Sequence, residues 1–474
     1  MSKLVNRSAT HPTPLPKVPM EVWRVAGVII VGSFMSTLGS SLVNVGFKTI
    51  GRNLHAPLSQ VQWLTSGYLI AFAAFLPFTA WLSRRVGPGR LWLFALAGFV
   101  AASGLCSLAP NLAWLVALRV VQGAAGALLV PTGQTVVGHL AGPQRMGRVL
   151  NSMKVVSVLG PVIGPTVGGL LISGLSWRWL FLVNIPVGLV ALLFGLRIVP
   201  RGEPVRGRPF DGLGFGLIAI GLPLTIYGVS AIGRAHSISS AQILATVPLG
   251  LVALAAFGRR SLTTAAPVLD LRLFGNRVYA AAVVSVFFTG AALLGSMALF
   301  PLYFQLYRSE SVVHTGLLMA AIGGGAALSM PFGGLLTDRI GGGVISVAGL
   351  ALSAASVAPL TVLGSQVNLV LIEALQVLTG FGLGIAAMPA LSVAYATVPR
   401  DRLPDATAEA NIVQRIGGSI GITTLVAVLG NTGAPGIASF HTACRWLVGG
   451  IVIALVLAGW LAVEERRRHV ELGV

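Results

Sequence analysis

Long apolar runs alternate with short polar segments rich in Gly, Pro and Arg along almost the whole chain. Each run has about 20 residues or more, the length that a helix needs to cross the hydrocarbon core of a membrane. The pattern predicts fourteen transmembrane helices, near residues 25–50, 59–82, 90–109, 112–137, 149–173, 178–199, 212–233, 239–258, 278–306, 313–336, 344–364, 368–396, 405–430 and 443–463. The short connections leave no room for a sizeable soluble domain.

The composition supports this all-α integral membrane class. The 474 residues are 55% hydrophobic and 9% charged, with a mean hydropathy of +0.86. Soluble domains carry about 25% charged residues, so this chain cannot cover a buried core with a polar surface. The net charge of +19 would suggest a nucleic-acid partner in a soluble protein, but in a membrane protein the positions of the charges matter more.

The positions of the basic residues predict the orientation. With the N-terminus in the cytoplasm, 24 of the 32 Lys and Arg residues fall on the cytoplasmic side, six fall outside and two lie within spans. The first 24 residues contain no apolar run, so we expect no removable signal peptide. The positive-inside rule then places both termini in the cytoplasm of a bacterial inner (plasma) membrane. Anionic lipid headgroups are the expected partners of the basic loops, and no nucleic-acid partner is expected.

An internal repeat predicts the domain organisation. The segment 82–89 (LSRRVGPG) resembles the segment 336–343 (LTDRIGGG), which lies 254 residues later. This offset fits two six-helix bundles separated by one extra helix pair, a parallel repeat typical of transporters that bind substrate between their halves. We therefore expect bundles at 1–200 and 263–474, with a two-helix insert at 201–262.

Three segments carry a resemblance to a known family. They are 118–126 (LRVVQGAAG), 160–169 (GPVIGPTVGG) and 177–188 (WRWLFLVNIPVG). With these motifs the chain resembles the major facilitator superfamily, specifically its fourteen-helix drug:proton antiporter branch. The resemblance covers nearly the whole chain. It implies a major-facilitator fold and export of a small lipophilic compound in exchange for protons.

The glycine-rich segment also has a physical interpretation of its own. Gly160, Gly164 and Gly168 share one helix face and let a neighbouring backbone approach closely, while Pro161 and Pro165 permit a bend. Either the segment, which ends at Gly169, is simply a tight packing surface, or it also serves as a hinge between conformations.

Polar residues at helical spacing predict a central cavity. In span thirteen, polar side chains recur every four residues and form one stripe, which must face protein or water within a membrane. The stripe consists of Thr407, Asn411, Arg415, Ser419 and Thr423. Spans one and twelve contribute similar faces. The cavity candidates are Ser36, Ser40, Asn44, Arg119, Gln122, Gln376, Asn411, Arg415 and Ser419. Arg119 either lines this cavity with Gln122 or extends its guanidinium to the membrane surface.

Two acidic residues are candidates for proton coupling. Glu373 is the carboxylate that the pattern places within the hydrocarbon, where it either exchanges protons or forms a fixed ion pair with an arginine. Glu409 points about 200° away from Asn411, off the polar stripe, so we expect it to be solvated at the cytoplasmic end. Glu373 is the main candidate and Glu409 the second.

The chain departs from the family pattern in two places. The first span reads LGSSLVNV at 38–45, without the acidic residue that this branch usually has there. In the loop after span two, Arg84 stands where the family has aspartate, followed by Arg85 and Gly87. The second copy keeps Asp338 and Arg339. By the resemblance, the aspartate would cap a helix N-terminus and match its charge in the outward-open state, and Arg84 cannot make that interaction. Alternatively, Arg84 is a charge that only sets the topology.

Other function classes find no support in the sequence. An ATP-driven pump needs a phosphate-binding loop, and the Lys48-Thr49 pair follows Phe47 rather than glycine. The seven histidines are scattered and form neither a metal cluster nor a nucleophile–base pair, so we expect no enzyme, no metal and no cofactor. We expect a monomeric exporter of a lipophilic compound, coupled to protons. The alternative is an exporter or facilitator of a neutral or anionic molecule or lipid that is not driven by protons.

Overall fold

A computed structural model describes residues 18–471. At some positions within helices it describes only the backbone. It omits 62, 143–144, 147, 151–152, 154–159, 161–163, 165–166, 173, 205–209, 233–240, 311, 330–331, 334–335, 338–339, 365–366 and 431–436. Helices make up nearly all of the described chain, and no strand occurs in it. The expected all-α membrane fold is confirmed.

The helices of the first bundle follow the apolar runs. They are α1 (Met20–Val45), α2 (Phe47–Asn53), α3 (Leu58–Val61), α4 (Trp63–Phe75), α5 (Phe78–Val86), α6 (Pro88–Ser107), α7 (Leu112–Ala141), α8 (Trp179–Leu182) and α9 (Asn184–Ile198). The second apolar run is divided at Pro77, where α4 and α5 meet at a bend of 59°. Proline explains this break because it lacks the N–H that a continuous helix needs.

Nine further helices have bounds in the rest of the chain, and helical residues are also described within 148–174 and 332–340. The helix pair expected as an insert is α10 (Gly212–Ile232) and α11 (Ala241–Thr263). The second bundle contains α12 (Arg277–Tyr307), α13 (Val312–Leu318), α14 (Ala320–Leu328), α15 (Gly342–Val357), α16 (Leu369–Ala396), α17 (Leu403–Gly430) and α18 (Ile437–Glu471). Short 3₁₀ turns lie at Leu271–Gly275, Ala358–Thr361 and Arg400–Arg402.

Eight of the described helices are long and apolar enough to cross a membrane, and the bent pair α4–α5 makes nine. Two apolar segments, Gly212–Ile226 and His314–Leu328, are shorter. The expected count of fourteen spans stays a prediction, as do the domain boundaries at 200 and 262.

The apolar core shows how the two bundles meet. One cluster of buried side chains contains residues of both bundles, from Val22 and Trp92 to Tyr279 and Ala406. It lies at the end of the molecule where α1 begins, which we call the closed end. At the opposite end, the far end, each bundle has a separate core, one around Phe304 and one built from α1, α4, α6 and α7. The bundles are therefore joined at one end and packed independently at the other.

The helix pair α10–α11 lies beside this junction. An ion pair joins Asp211 to Arg260 at 2.7 Å, and the Asp211 carboxylate also accepts the backbone N–H of Gly214. Helix α10 packs against both α4 and α17, so it contacts one helix of each bundle. The pair therefore borders the central region at one side.

Candidate functional site

A central cavity of about 230 Å³ lies between the two bundles. Helices α1, α4 and α7 line one side of it and helices α12 and α17 the other. Its described lining residues are Ser33, Ser36, Thr37, Tyr68, Leu69, Phe72, Val130, Gln134, Met153, Gly290, Leu293, Leu294, Met297, Asn411, Gln414 and Arg415. Three of the predicted cavity residues are among them: Ser36, Asn411 and Arg415.

Arg415 is the charged member of this described lining. Its guanidinium carbon lies 3.9 Å from the centroid of the Phe72 ring on α4. This cation–π contact joins the two bundles across the cavity, because α4 and α17 belong to opposite sides. The described lining contains no carboxylate, so its fixed charge is positive.

Two polar contacts close the cavity toward the closed end. The Asn411 side-chain amide donates to Gln134 Oε1 at 2.7 Å. One helical turn before Asn411 in α17, the Thr407 hydroxyl lies 3.0 Å from the Thr135 hydroxyl. Asn411 and Thr407 belong to the predicted polar stripe of span thirteen. These two residues of the stripe therefore face the first bundle, where each meets a polar partner on α7.

A buried ion pair follows at the same interface. Arg84, in the last turn of α5, donates to the carboxylate of Asp405, in the first turn of α17. The side chains are 7% and 1% exposed. Gly87 ends α5 three residues after Arg84, with φ +97°, a value that favours glycine. The interpretation of Arg84 as only a topology-setting charge is therefore wrong, since its side chain joins the two bundles.

The remaining residues of this basic motif are placed differently. Arg85 is exposed beside the buried Arg84. The second copy of the motif, Asp338 and Arg339, lies outside the described residues. In that second copy, the Glu465 carboxylate accepts the backbone N–H groups of Gly342 and Gly343, at 3.1 and 2.8 Å. In the first copy, the Arg90 backbone N–H at the start of α6 donates to the Arg201 carbonyl oxygen at 3.2 Å, so the two repeats fix the start of the next helix with different groups.

Glu409 lies on the opposite face of α17, inside the second bundle. It is 2% exposed, and its Oε2 accepts a hydrogen bond of 2.9 Å from the Tyr279 hydroxyl of α12. Its Oε1 has no hydrogen-bond partner among the described residues. The charges of Asp405, Asp270 and Arg84 act on it electrostatically. The expectation that Glu409 would be solvated is wrong, because α12 covers the face that turns away from the stripe.

Arg119 lies behind the cavity wall rather than among the lining residues. Its guanidinium lies 4.2 Å from the centroid of the Tyr68 ring, and Tyr68 itself lines the cavity. Arg119 donates to the backbone oxygens of Leu64 and Gly39, at 3.0 and 3.3 Å, and to Gln122 Oε1 at 2.7 Å. It is 1% exposed. Arg119 therefore links α1, α4 and α7 and does not extend to the membrane surface.

The 254-residue repeat extends to this helix and its counterpart. Arg119 and Gln122 of α7 correspond by that offset to Glu373 and Gln376 of α16. Glu373 is the fifth residue of its helix, is half-buried and does not line the cavity. Gln376 is fully buried, and neither polar atom of its side chain has a partner among the described residues. The repeat thus places an arginine and a glutamate at matching positions. Arg119 is hydrogen-bonded to Gln122, whereas no hydrogen bond joins Glu373 to Gln376.

The remaining candidates belong to the glycine-rich segment and to spans one and thirteen. Gly160 packs so closely on α1 that a Cβ there would lie 2.6 Å from Thr37 Oγ1 and 3.0 Å from the Leu38 nitrogen. This contact agrees with the packing interpretation of the glycine face and leaves the hinge untested. Ser419 is half-buried and lies outside the described lining. The side chains of Ser40 and Asn44, and all of Pro161 and Pro165, lie outside the described residues.

Comparison with known families decides the identity of the fold. The sequence profile of the Major Facilitator Superfamily matches residues 29–422. The chain belongs to the major facilitator superfamily. Members of this superfamily are membrane transporters rather than enzymes, and the family predicted from the motifs is confirmed.

Relatives and a solved structure agree with this assignment. The chain is 34% identical over 409 residues to the multidrug resistance protein B homolog of Mycobacterium tuberculosis, covering 86% of this chain and 76% of that protein. It is 26% identical to the lincomycin resistance protein LmrB of Listeria innocua, covering 85% and 86%. The crystal structure of the human organic anion transporter MFSD10 (TETRAN) superposes with a TM-score of 0.63 at 17% identity, covering 93% of this chain and all of that one.

Within this major facilitator chain, sequence reasoning missed several residues at the interface of the bundles. The partners of the polar stripe on α7, Gln134 and Thr135, carry a weak signal, since two neighbouring polar residues follow Pro131 in an apolar helix. Asp405 stands four residues before Glu409, one turn earlier on α17. Tyr279 has no such signal, because its bond to Glu409 joins residues 130 positions apart.

Proposed function

We propose that this transporter exports a small lipophilic compound by alternating access, in exchange for protons. The observation that carries the proposal is the cavity between two bundles that share a core at the closed end and have separate cores at the far end. Breaking the closed-end contacts and joining the bundles at the far end would expose the same cavity to the other side.

The distribution of arginines supports the direction of export. The end of α5 and the start of α6 carry Arg84, Arg85 and Arg90 at the closed end, and the positive-inside rule places these residues in the cytoplasm. In this orientation the structure is closed to the cytoplasm. Relatives named for multidrug and lincomycin resistance favour efflux across a bacterial inner membrane.

The cavity lining supports a neutral or anionic lipophilic substrate. Arg415 contributes a positive charge, Tyr68 and Phe72 contribute aromatic rings, and the described lining carries no carboxylate. A cation would meet no opposite charge there, whereas an aromatic or anionic group would find the guanidinium that Phe72 now contacts. The first span, which lacks the family's acidic residue, agrees with this preference.

Glu409 is the proposed proton carrier. Glu409 is buried, and one of its carboxylate oxygens has no hydrogen-bond partner among the described residues. A proton on that oxygen would neutralise the carboxylate without breaking an existing hydrogen bond. A dry site favours a neutral carboxyl group, and water favours the carboxylate. Opening the closed end would separate Arg84 from Asp405 and admit water to Glu409, which would then release its proton to the cytoplasm. Glu373 stays the alternative carrier, at the far end of the second bundle.

Transport by the purified protein in liposomes tests this function. Three fluorescent lipophilic probes, one neutral, one anionic and one cationic, are loaded with and without an imposed pH gradient. We expect accumulation of the neutral or anionic probe only with the gradient and little of the cationic one. Gradient-independent equilibration would favour the alternative, a facilitator or exporter not driven by protons. Preference for the cationic probe would contradict the proposed role of Arg415.

A further inference from the structure

A larger concavity lies on the outer surface of the second bundle, toward the far end. This groove, which we call the α18 groove, has a volume of about 750 Å³ between α12, α17 and α18. Its floor, wall and rim include Phe287, Phe288, Ile420, Leu425, Arg445 and Trp446. It is separate from the central cavity, with which it shares no lining residue.

Glycines give the α18 groove its shape. Gly421 of α17 packs so closely on α12 that a Cβ there would lie 2.3 Å from the Ala291 carbonyl oxygen, which brings α12 and α17 together at the floor. On α18, a Cβ at Gly449 would have no atom within 4 Å, and one at Gly450 would reach only the Phe288 ring, at 3.9 Å. The absence of side chains at these two positions leaves the space between α17 and α18 empty of protein.

The α18 groove opens toward the membrane. The apolar window of α18 is 28% buried within the protein, the smallest share among the eight spanning helices. Trp446 at the rim is 61% exposed and Ile453 is 46% exposed. Tryptophan is enriched where a membrane protein meets the headgroup region, so we expect Arg445 and Trp446 to lie at the depth of a lipid headgroup.

Arg445 brings an unneutralised charge to this rim. Among the described residues, its hydrogen bonds reach only its own helix, at the His441 carbonyl oxygen and the Thr442 hydroxyl, both at the long distance of 3.4 Å. No ion pair involves Arg445 among the described residues, and Glu310 at the same end pairs with His314. An exposed guanidinium at headgroup depth that has no ion-pair partner among the described residues is available to a lipid phosphate, which matches its planar fork.

We propose that the α18 groove is a specific binding site for a phospholipid of the far-end leaflet. The lipid phosphate binds the Arg445 guanidinium, and one acyl chain lies along the glycine side of α18 over Phe287 and Phe288. The charge at the rim and the apolar floor together match a molecule with an anionic head and a hydrocarbon tail. A lipid held there would support α17, the helix that carries Arg415 and Asp405, and the site does not depend on the proposed transport function.

Lipid titration of the delipidated protein in detergent tests this site by native mass spectrometry. The probes are phosphatidylglycerol, diacylglycerol with the same chains, and glycerol phosphate. We expect one tightly retained phosphatidylglycerol, little diacylglycerol and no glycerol phosphate. Arg445→Gln should weaken phosphatidylglycerol binding by about tenfold or more, because hydrogen bonds to a charged group are lost. Gly449→Leu should also displace the lipid by filling the acyl-chain path.

Two matched controls distinguish this site from general lipid adhesion. Arg52→Gln removes another exposed arginine, and Gly459→Leu adds the same side chain to α18 at a second glycine with no atom within 4 Å of its Cβ, outside the groove. Both controls should bind as wild type does. Unchanged binding by Arg445→Gln or Gly449→Leu, equal loss in the controls, or diacylglycerol binding as well as phosphatidylglycerol would overturn the proposal. Retention of glycerol phosphate alone would show a free-phosphate site instead.

Discussion

The surroundings of Glu409 and of Glu373 differ in what the neighbouring helices bring to each carboxylate. Glu409 is 2% exposed, bonded to the Tyr279 hydroxyl and influenced by Asp405 and Arg84. Glu373 is half-buried near the start of α16, with no hydrogen bond or ion pair among the described residues. One acid lies inside the second bundle, close to the ion pair that joins the bundles at the closed end, and the other lies at the far end, where the bundles pack separately.

Helical phase alone therefore does not decide whether an acidic side chain is exposed to water. Glu409 does turn away from the stripe that contains Asn411, as the 100° per residue of a helix requires. The face it turns toward is occupied, however, by Tyr279 and α12. Helix α17 thus uses two polar faces, one against the first bundle and one inside its own.

The largest expected effect comes from removing the carboxylate of Glu409. Glu409→Gln keeps the shape and fixes the neutral state, so we expect it to abolish accumulation driven by a pH gradient while counterflow of substrate between two sides continues. Uptake and counterflow in liposomes measure the two activities. Tyr279→Phe, which removes only the donor to the carboxylate, should reduce gradient-driven uptake less. Full accumulation by Glu409→Gln would place the coupling site elsewhere.

The second effect concerns the ion pair at the closed end. Arg84→Ala leaves Asp405 buried without its arginine, so we expect a loss of about 3–5 kcal/mol in the stability of the closed state and access of cytoplasmic reagents to the cavity. Labelling of a cysteine placed at Val130 measures that access. Arg85→Ala is the matched control, because the neighbouring arginine is exposed.

A charge exchange sharpens this second prediction. The double variant Arg84→Asp with Asp405→Arg should recover part of the protection from labelling that each single variant loses. Equal labelling of the single and double variants would mean that the pair is not what holds the end closed. The exchange also restores an acidic residue at the position where the family has aspartate.

The all-α membrane fold and the family could be predicted from the sequence because they depend on local patterns, whereas the fourteen spans and the domain boundaries stay predictions. The polar stripe of span thirteen and the cavity residues Ser36, Asn411 and Arg415 were predicted by the same helical spacing. The partners across the interface were not, because Arg84 and Asp405 are 321 residues apart and Thr135 and Thr407 are 272 apart. No helical spacing indicates which face of α7 meets which face of α17, so these pairs emerge only when the bundles are assembled.

A third, intermediate effect separates Arg119, which is buried behind the cavity wall, from Arg415, which lines the cavity. Arg119→Lys cannot reproduce the bonds to Leu64, Gly39 and Gln122 together, so we expect a loss of about 1–3 kcal/mol in stability. Arg415→Lys keeps a charge in the cavity and loses the planar contact with Phe72, so it should change the preference among probes with less loss of stability. Thermal unfolding and liposome uptake of both variants check this. A stable Arg119→Lys protein with altered probe preference would show that Arg119 contacts substrate instead.

The smallest effect is expected at Glu373. Glu373→Gln removes a half-buried charge that has no bonded partner among the described residues and does not line the cavity, so gradient-driven uptake should stay within about twofold of wild type. The adjacent Gln376 gives the contrasting variant: it is fully buried, and Gln376→Leu replaces two polar atoms that have no partner in the described chain by an apolar group of similar size, which should stabilise the second bundle. If Glu373→Gln instead abolishes gradient-driven uptake while Glu409→Gln does not, proton exchange occurs at the far end of α16. The Arg119 and Glu373 positions of the repeat would then have diverged into a structural cation in one bundle and a proton carrier in the other.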